Sequence, residues 1–162
     1  MLEHTQLQEL WDELYARKKE SWLTVLSGSM APMIQVGDRV LVKQTAPQNI
    51  RFGDVIVFKE ADMLIIHRVI SKQVADQHVI FMQKGDSNIS ATYVFSESVI
   101  GKVAYIKKED RIIRLDSFFG RQMNLLLGFS FYVLYMLRKR RFVSRIDRLF
   151  RYCLNILFLI RL

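Results

Sequence analysis

Cysteine is almost missing from this chain: of 162 residues one, Cys153, carries a thiol. A single thiol excludes an internal disulfide and a cysteine-built metal site. Cys153 lies in an apolar C-terminal run, where a thiol behaves as a small hydrophobe and not as a nucleophile. Proline is nearly as scarce, and both prolines, Pro32 and Pro47, fall at breaks between apolar runs. The opening stretch, Met1 to Arg17, has no apolar core of the kind a signal peptide carries; it is polar and mixed in charge. Acid is nearly absent from the far end, where residues 138–162 hold Asp147 against eight bases. That segment carries +7 of the net +8, which leaves residues 1–137 at +1. The basic signal therefore belongs to the tail. Its bases alternate with long apolar side chains, a pattern that suits an anionic membrane surface and not a nucleic acid. Apolar residues are plentiful at 51%, enough for a packed core and too many for a disordered chain. The length fits one domain with an appendage.

Periodicity divides the chain in three. Residues 1–20 hold an amphipathic helix over 5–18: Thr5 and Gln8 fit a capping box, and Leu7, Leu10, Trp11 and Leu14 recur at helical spacing. It is too polar to span a bilayer. Residues 21–115 read as strands and turns, with strands expected at 22–27, 38–43, 54–59, 63–71, 77–84 and 99–107. Gly37-Asp38, Pro47, Gly53-Asp54, Gly85-Asp86 and Gly101 punctuate them. Short strands at this spacing predict a mostly β fold with a curled sheet. Residues 116–162 form an apolar, basic helical tail. Within it 117–137 is about the length of a bilayer span, interrupted near one end by Arg121, Gln122 and Asn124, and 149–162 is apolar again. The tail reads as membrane-associated, with a helical pair packed on the domain as the plainer alternative.

The strongest local signal is Ser27-Gly28-Ser29-Met30-Ala31-Pro32, directly after the apolar run Trp22–Leu26. Gly28 permits close backbone approach, and Pro32 stiffens the turn and biases Ala31 away from helix. Ser29 thus sits where a strand breaks into a stiff turn, a good place to hold a nucleophile. Two other residues complete a possible chemistry: His67, in the apolar strand Leu64–Ile70, and Asp86, in the turn Lys84–Asn88. A serine hydroxyl is a weak nucleophile until a base within hydrogen-bond reach takes its proton, and histidine titrates in the right range. An acid on the other ring nitrogen would fix the tautomer and support the imidazolium. Singly, each residue has a plain structural explanation: an ordinary turn serine, a satisfied core histidine, an aspartate bonding its own backbone.

Taken together the boxes say more. Ser27-Gly28-Ser29-Met30-Ala31-Pro32, Gly37-Asp38, Phe52-Gly53-Asp54-Val55-Ile56-Val57-Phe58, His67-Arg68-Val69 and Lys84-Gly85-Asp86-Ser87-Asn88 occur in this order and at these gaps. Over residues 22–106 the chain resembles the type I signal peptidase family, in particular its Ser-His branch of the endoplasmic reticulum, archaea and some Gram-positive bacteria. The resemblance implies a serine endopeptidase of mostly β fold that cuts signal or leader peptides after small residues. It implies Ser29 as nucleophile, His67 as general base, and Ser27 with the Ser29 N–H as the oxyanion hole. It also implies a substrate bound as an added strand, with no cofactor and no metal.

The chain departs from that pattern at three points. Histidine-type members carry a second aspartate about six residues after the Gly-Asp turn; here Thr92 stands there, and 87–96 holds no acid. Asp86 then becomes the expected third catalytic residue, or Ser29 and His67 act as a dyad. No anchor precedes Ser29, and the apolar tail is unusual. If 117–137 spans, the bases after it face the cytoplasm and place the β domain outside; a cytosolic enzyme on the inner leaflet, or a short relative that matures leader peptides, is the other arrangement. A self-cleaving repressor-type protease shares the β core but is disfavoured by His67 in place of lysine and by the lack of a helix-turn-helix pattern. From another class, the chain reads as an inactive peptide-binding module on the same scaffold.

Overall fold

The computed structural model describes residues 19–75 and 78–139. The helix expected over 5–18, the bases of 140–148, and the run 149–162 with Cys153 lie outside the described residues. The described chain is mostly β, as its strand-and-turn pattern predicts. Eight strands form one sheet: β1 (Glu20–Thr24), β2 (Arg39–Lys43), β3 (Val55–Glu60), β4 (Met63–Ala75), β5 (His78–Lys84), β6 (Thr92–Phe95), β7 (Val99–Lys107) and β8 (Ile112–Arg114). One helix, α1 (Phe118–Lys139), follows. The spatial order is β1-β2-β7-β3-β4-β5-β6, with β8 also on β7. Every pairing is antiparallel. Register shifts at Leu41/Val42, Val57/Phe58 and Val69/Ser71 mark irregularities of the kind that bend strands, and the sheet curls into a half-barrel. Two short strands, β6 and β8, escape the sequence pattern. At four and three residues they give alternation too little length to register.

Both faces of the sheet are covered, and β3 shows how. Val55 and Val57 enter one core with Met30, Met33, Val40, Val42 and Phe131, while Ile56 and Phe58 enter a second with Ile50, Val69 and Phe81. Side chains alternate across a strand, so a run buried on both faces reads as continuously apolar. The two Gly-Asp junctions share one construction. Gly37 and Gly53 take φ of 91° and 87°, and the following aspartates, Asp38 and Asp54, accept the N–H groups of Gln35 and Arg51 at 2.8 and 2.9 Å.

α1 docks one face on the larger core through Leu127, Phe131 and Leu134. Closeness depends on glycine: a Cβ on Gly128 would lie 2.8 Å from Gly53 Cα, and one on Gly53 would overlap the Asn124 carbonyl. The stretch 117–137 is therefore a packed helix and not a free apolar rod. Among the described residues no helix is long and apolar enough to cross a membrane.

One buried cation joins these elements. Arg68 on β4 is fully buried, and all five of its N–H donors are used. Nε and one terminal nitrogen donate to the two carboxylate oxygens of Asp86 at 2.8 and 2.7 Å. The other terminal nitrogen donates to the Gly53 carbonyl and to Asn124 Oδ1, both at 2.9 Å. The last donor faces Met33 Sδ at 3.5 Å. Asn124, which looks from the sequence like a flaw in an apolar helix, is the group that docks α1 on this cation.

Removing one partner of such a pair strands a charge in the core. Asp86→Ala is expected to lower unfolding stability by about 3–5 kcal/mol, read from urea midpoints. A loss under 1 kcal/mol would show that Arg68 is not held by this carboxylate.

Candidate active site

The Ser29 turn follows from where β1 stops. After Thr24 the chain leaves the sheet edge, and Met30, Met33 and Ile34 plunge into the core at 1% exposure or less. Their burial fixes the turn from below, with Ala31 N donating to Gly28 O and Ile34 N to Met30 O at 3.1 Å. The Ala31–Pro32 peptide is cis. A second turn clamps it from the side. Ser87 N donates to Ser29 O at 2.9 Å, and Ser87 Oγ lies 2.9 Å from both the Gly28 and Ser29 carbonyl oxygens. A Cβ on Gly85 would stand 2.7 Å from Ser29 O, so this approach needs glycine there. Ser29 is half-buried, and its Oγ and N–H have no hydrogen-bond partner among the described residues.

Ser27, Ser29 and His67 line one cleft of about 600 Å³. Its walls are Leu23–Leu26 on one side and Met63–Ile66 on the other. Leu23 and Thr24 close β1, Val25 and Leu26 run on beyond it, and Met63–Ile66 belong to β4. β1 ends the sheet. Met63 to His67 pair with β3, but β5 joins β4 only from Arg68 onward, so among the described residues no strand takes the other edge of this stretch. A cavity of about 680 Å³ beside α1 shares no lining residue with this cleft.

His67 is half-buried, with the Phe58 ring 6.0 Å away. Its Nδ1 is 2.5 Å from Gln83 Oε1, and Gln83 Nε2 is 2.5 Å from Thr92 Oγ1. An amide oxygen only accepts, so Nδ1 carries the proton and Nε2 is left as the basic nitrogen. Burial is the main influence on the ring and pushes its pKa below the ordinary histidine value. The Gln83 bond and the charges of Asp86 and Glu60 pull the other way, while Lys84 adds to the lowering.

Asp86 does not stand where a third catalytic residue would. Both its oxygens bind Arg68, and its place is the buried side of the Lys84–Asn88 turn. The reason is strand alternation: His67 and Arg68 are neighbours on β4 and point to opposite faces, so the acid that pairs with one is turned from the other. Asp86 acts on His67 only through space. The group on Nδ1 is Gln83, which sequence reasoning missed. Its signal was a lone amide ending the apolar run Val79–Met82, but the register that brings it to His67 is tertiary.

An antiparallel, curled β domain with a serine and a histidine on a strand-walled cleft has the frame of a β-fold peptidase. The chain belongs to the Peptidase S24-like family, whose model matches residues 2–104, and it is related to the type I signal peptidases. It is 39% identical over 70 residues to signal peptidase I W of Bacillus subtilis, covering 42% of this chain and 37% of that protein. With the signal peptidase complex catalytic subunit SEC11C of Homo sapiens it shares 41% over 69 residues, covering 41% and 36%. With the catalytic subunit sec11 of Sclerotinia sclerotiorum it shares 30% over 93 residues, covering 50% and 54%. The matches thus span about a third to a half of these curated relatives.

Ser87→Ala keeps the backbone bond to Ser29 and loses the hydroxyl contacts to the same turn. It is expected to cost about 1 kcal/mol of stability in urea unfolding; an unchanged midpoint would mean the hydroxyl does not clamp the turn.

Proposed function

We propose that the protein is a serine endopeptidase that cuts signal or leader peptides, with Ser29 as nucleophile and His67 as general base. The observation that carries this is the shared cleft: a hydroxyl and an imidazole border one groove whose two walls include unpaired strand edges. An extended peptide lying between those edges gains main-chain hydrogen bonds whatever its sequence, and the apolar floor supplies pockets for alternate side chains. Relatives named as signal peptidases support the substrate class.

In this reading Ser29 Oγ attacks the scissile carbonyl carbon while its proton passes to His67 Nε2. The tetrahedral oxyanion is met by the Ser29 N–H and the Ser27 hydroxyl, donors aimed at charge that develops only in the transition state. His67 then gives its proton to the leaving amine as the C–N bond breaks. Water, deprotonated by His67, hydrolyses the acyl-enzyme. Asp86 serves by holding Arg68 and the turn that clamps Ser29.

Ser29→Ala and His67→Ala are each expected to lower kcat by about 10⁴-fold or more, measured on an internally quenched peptide with alanine one and three residues before the cut. Substantial turnover by either variant refutes the assignment. If Ser29 resists a fluorophosphonate while the peptide still binds, the chain is a peptide-binding module. A base must be neutral to act, so activity rises as pH passes upward through the pKa of His67. Because burial lowers that pKa, the acid limb of kcat/KM should have its midpoint below the ordinary value of about 6.5. A limb centred in the alkaline range points to a lysine base instead.

We further propose that the protein works at a membrane surface. The outer side of α1 presents Phe118, Phe119, Leu125, Leu126 and Phe129, with Arg121 among them, and residues 138–162 add +7. Apolar side chains beside bases suit anionic lipid. The full chain should sediment with phosphatidylserine vesicles and less so as salt rises; equal binding to neutral vesicles would refute the electrostatic part.

A further inference from the structure

We propose that Gln83, supported by Thr92, is the positioning residue of His67, a neutral relay standing where histidine-type relatives are expected to use a carboxylate. The inference rests on His67 being the base. Three strands bring the three side chains into line. On β5, Gln83 stands opposite Val69, two residues from His67 and on the same face of β4. On its other side Gln83 stands opposite Thr92 of β6. Residues so placed diagonally are within reach when one side chain is long. Gln83 is 3% exposed, so its amide depends on these two partners. Both bonds are short, at 2.5 Å.

The amide must choose between two arrangements. With Oε1 on the imidazole, Nδ1 bears the proton and Nε2 is free to accept one from a serine. With the amide reversed, its NH₂ would donate to Nδ1, the ring proton would sit on Nε2, and the base would be blocked. A threonine hydroxyl satisfies either arrangement in the neutral state, because it both donates and accepts. Only the first survives protonation of the ring, since an imidazolium donates from both nitrogens and needs an acceptor on each. The orientation found is the productive one, with Nε2 of Gln83 on Thr92. Unlike a carboxylate, the amide orients the ring without contributing a charge. The charged groups that act on His67 are Asp86, already paired with Arg68, Glu60 at the last pair of the β3–β4 ladder, and Lys84.

The test uses the full chain, the quenched alanine peptide above, and nitrogen-15 NMR of the histidine rings. The parent should show His67 as the Nδ1–H tautomer above its pKa. Gln83→Leu should lower kcat by about 10–100-fold, the cost usual for losing a histidine's orienting partner, with KM little changed. It should also give mixed tautomers and move the acid limb to lower pH, because the bond it deletes favours the protonated ring. Gln83→Glu, nearly the same shape, should move the limb up by about one unit or more, as a carboxylate beside an imidazolium does. Thr92→Val should lower kcat, and Thr92→Asp, which can only accept from the amide, should recover that loss. A purely structural Gln83 would change stability and leave the limb and the tautomer where they were. That result, or an Nε2–H tautomer in the parent, overturns the proposal. Should Gln83→Leu fail to fold, Gln83→Glu and the Thr92 pair decide it. Turnover by Ser29→Ala or His67→Ala is a different failure, which removes the base and nucleophile assignments themselves.

Discussion

A buried guanidinium sets the terms for this protein. Taking Arg68 and Asp86 out of water costs several kcal/mol per ion, and the cost is offset only where every remaining donor finds a partner. Here each does, and each partner comes from a different part of the chain: the Gly-Asp turn after β5, the Gly53 turn before β3, the helix, and the segment behind Ser29. These parts cannot drift independently without stranding a charge. The same carboxylate that satisfies Arg68 fixes the turn whose serine grips the Ser29 carbonyl. The position of Ser29 is thus set by an ion pair that does not face the cleft.

Strand alternation then separates structure from chemistry along β4. Arg68 points into the core that includes α1, and His67, one residue away, points to the other face and the cleft rim. A change at either residue acts through a different set of neighbours. Beyond this point the sheet also changes character. At Arg68 β4 is paired with both β3 and β5 and beyond it with β5, whereas Met63–His67 is paired with β3 alone. Unpaired edges invite other strands, and this one lies across from the equally open β1. The open side of this groove is a by-product of where β5 begins to pair.

The family relationship explains the shared boxes, and the departures from it are equally physical. At position 92 a hydroxyl replaces the expected acid, and an amide on the adjacent strand occupies the space between it and the imidazole. Asp86 is already committed to Arg68 and cannot serve in its place. Likewise α1 is rich in apolar residues, yet its Asn124 face is docked by hydrogen bonding and by glycine contacts at Gly53 and Gly128. The apolar side chains left outside are then an excess that the β domain does not use.

Much of this was legible in the residues. Alternation and Gly-Asp punctuation marked six of eight strands, because period-two burial and positive-φ turns leave local traces. The Ser29 turn and His67 were legible as well, carried by motif boxes that survive in linear order. Asp86 was located but given the wrong partner, and Gln83 was passed over. Local sequence reports which way a chain bends and which positions are apolar. It does not report the register between β4, β5 and β6, and register alone decides which polar side chain meets which. A shift of one residue turns every side chain to the opposite face, so the ring's true neighbour emerged only once three strands were laid side by side.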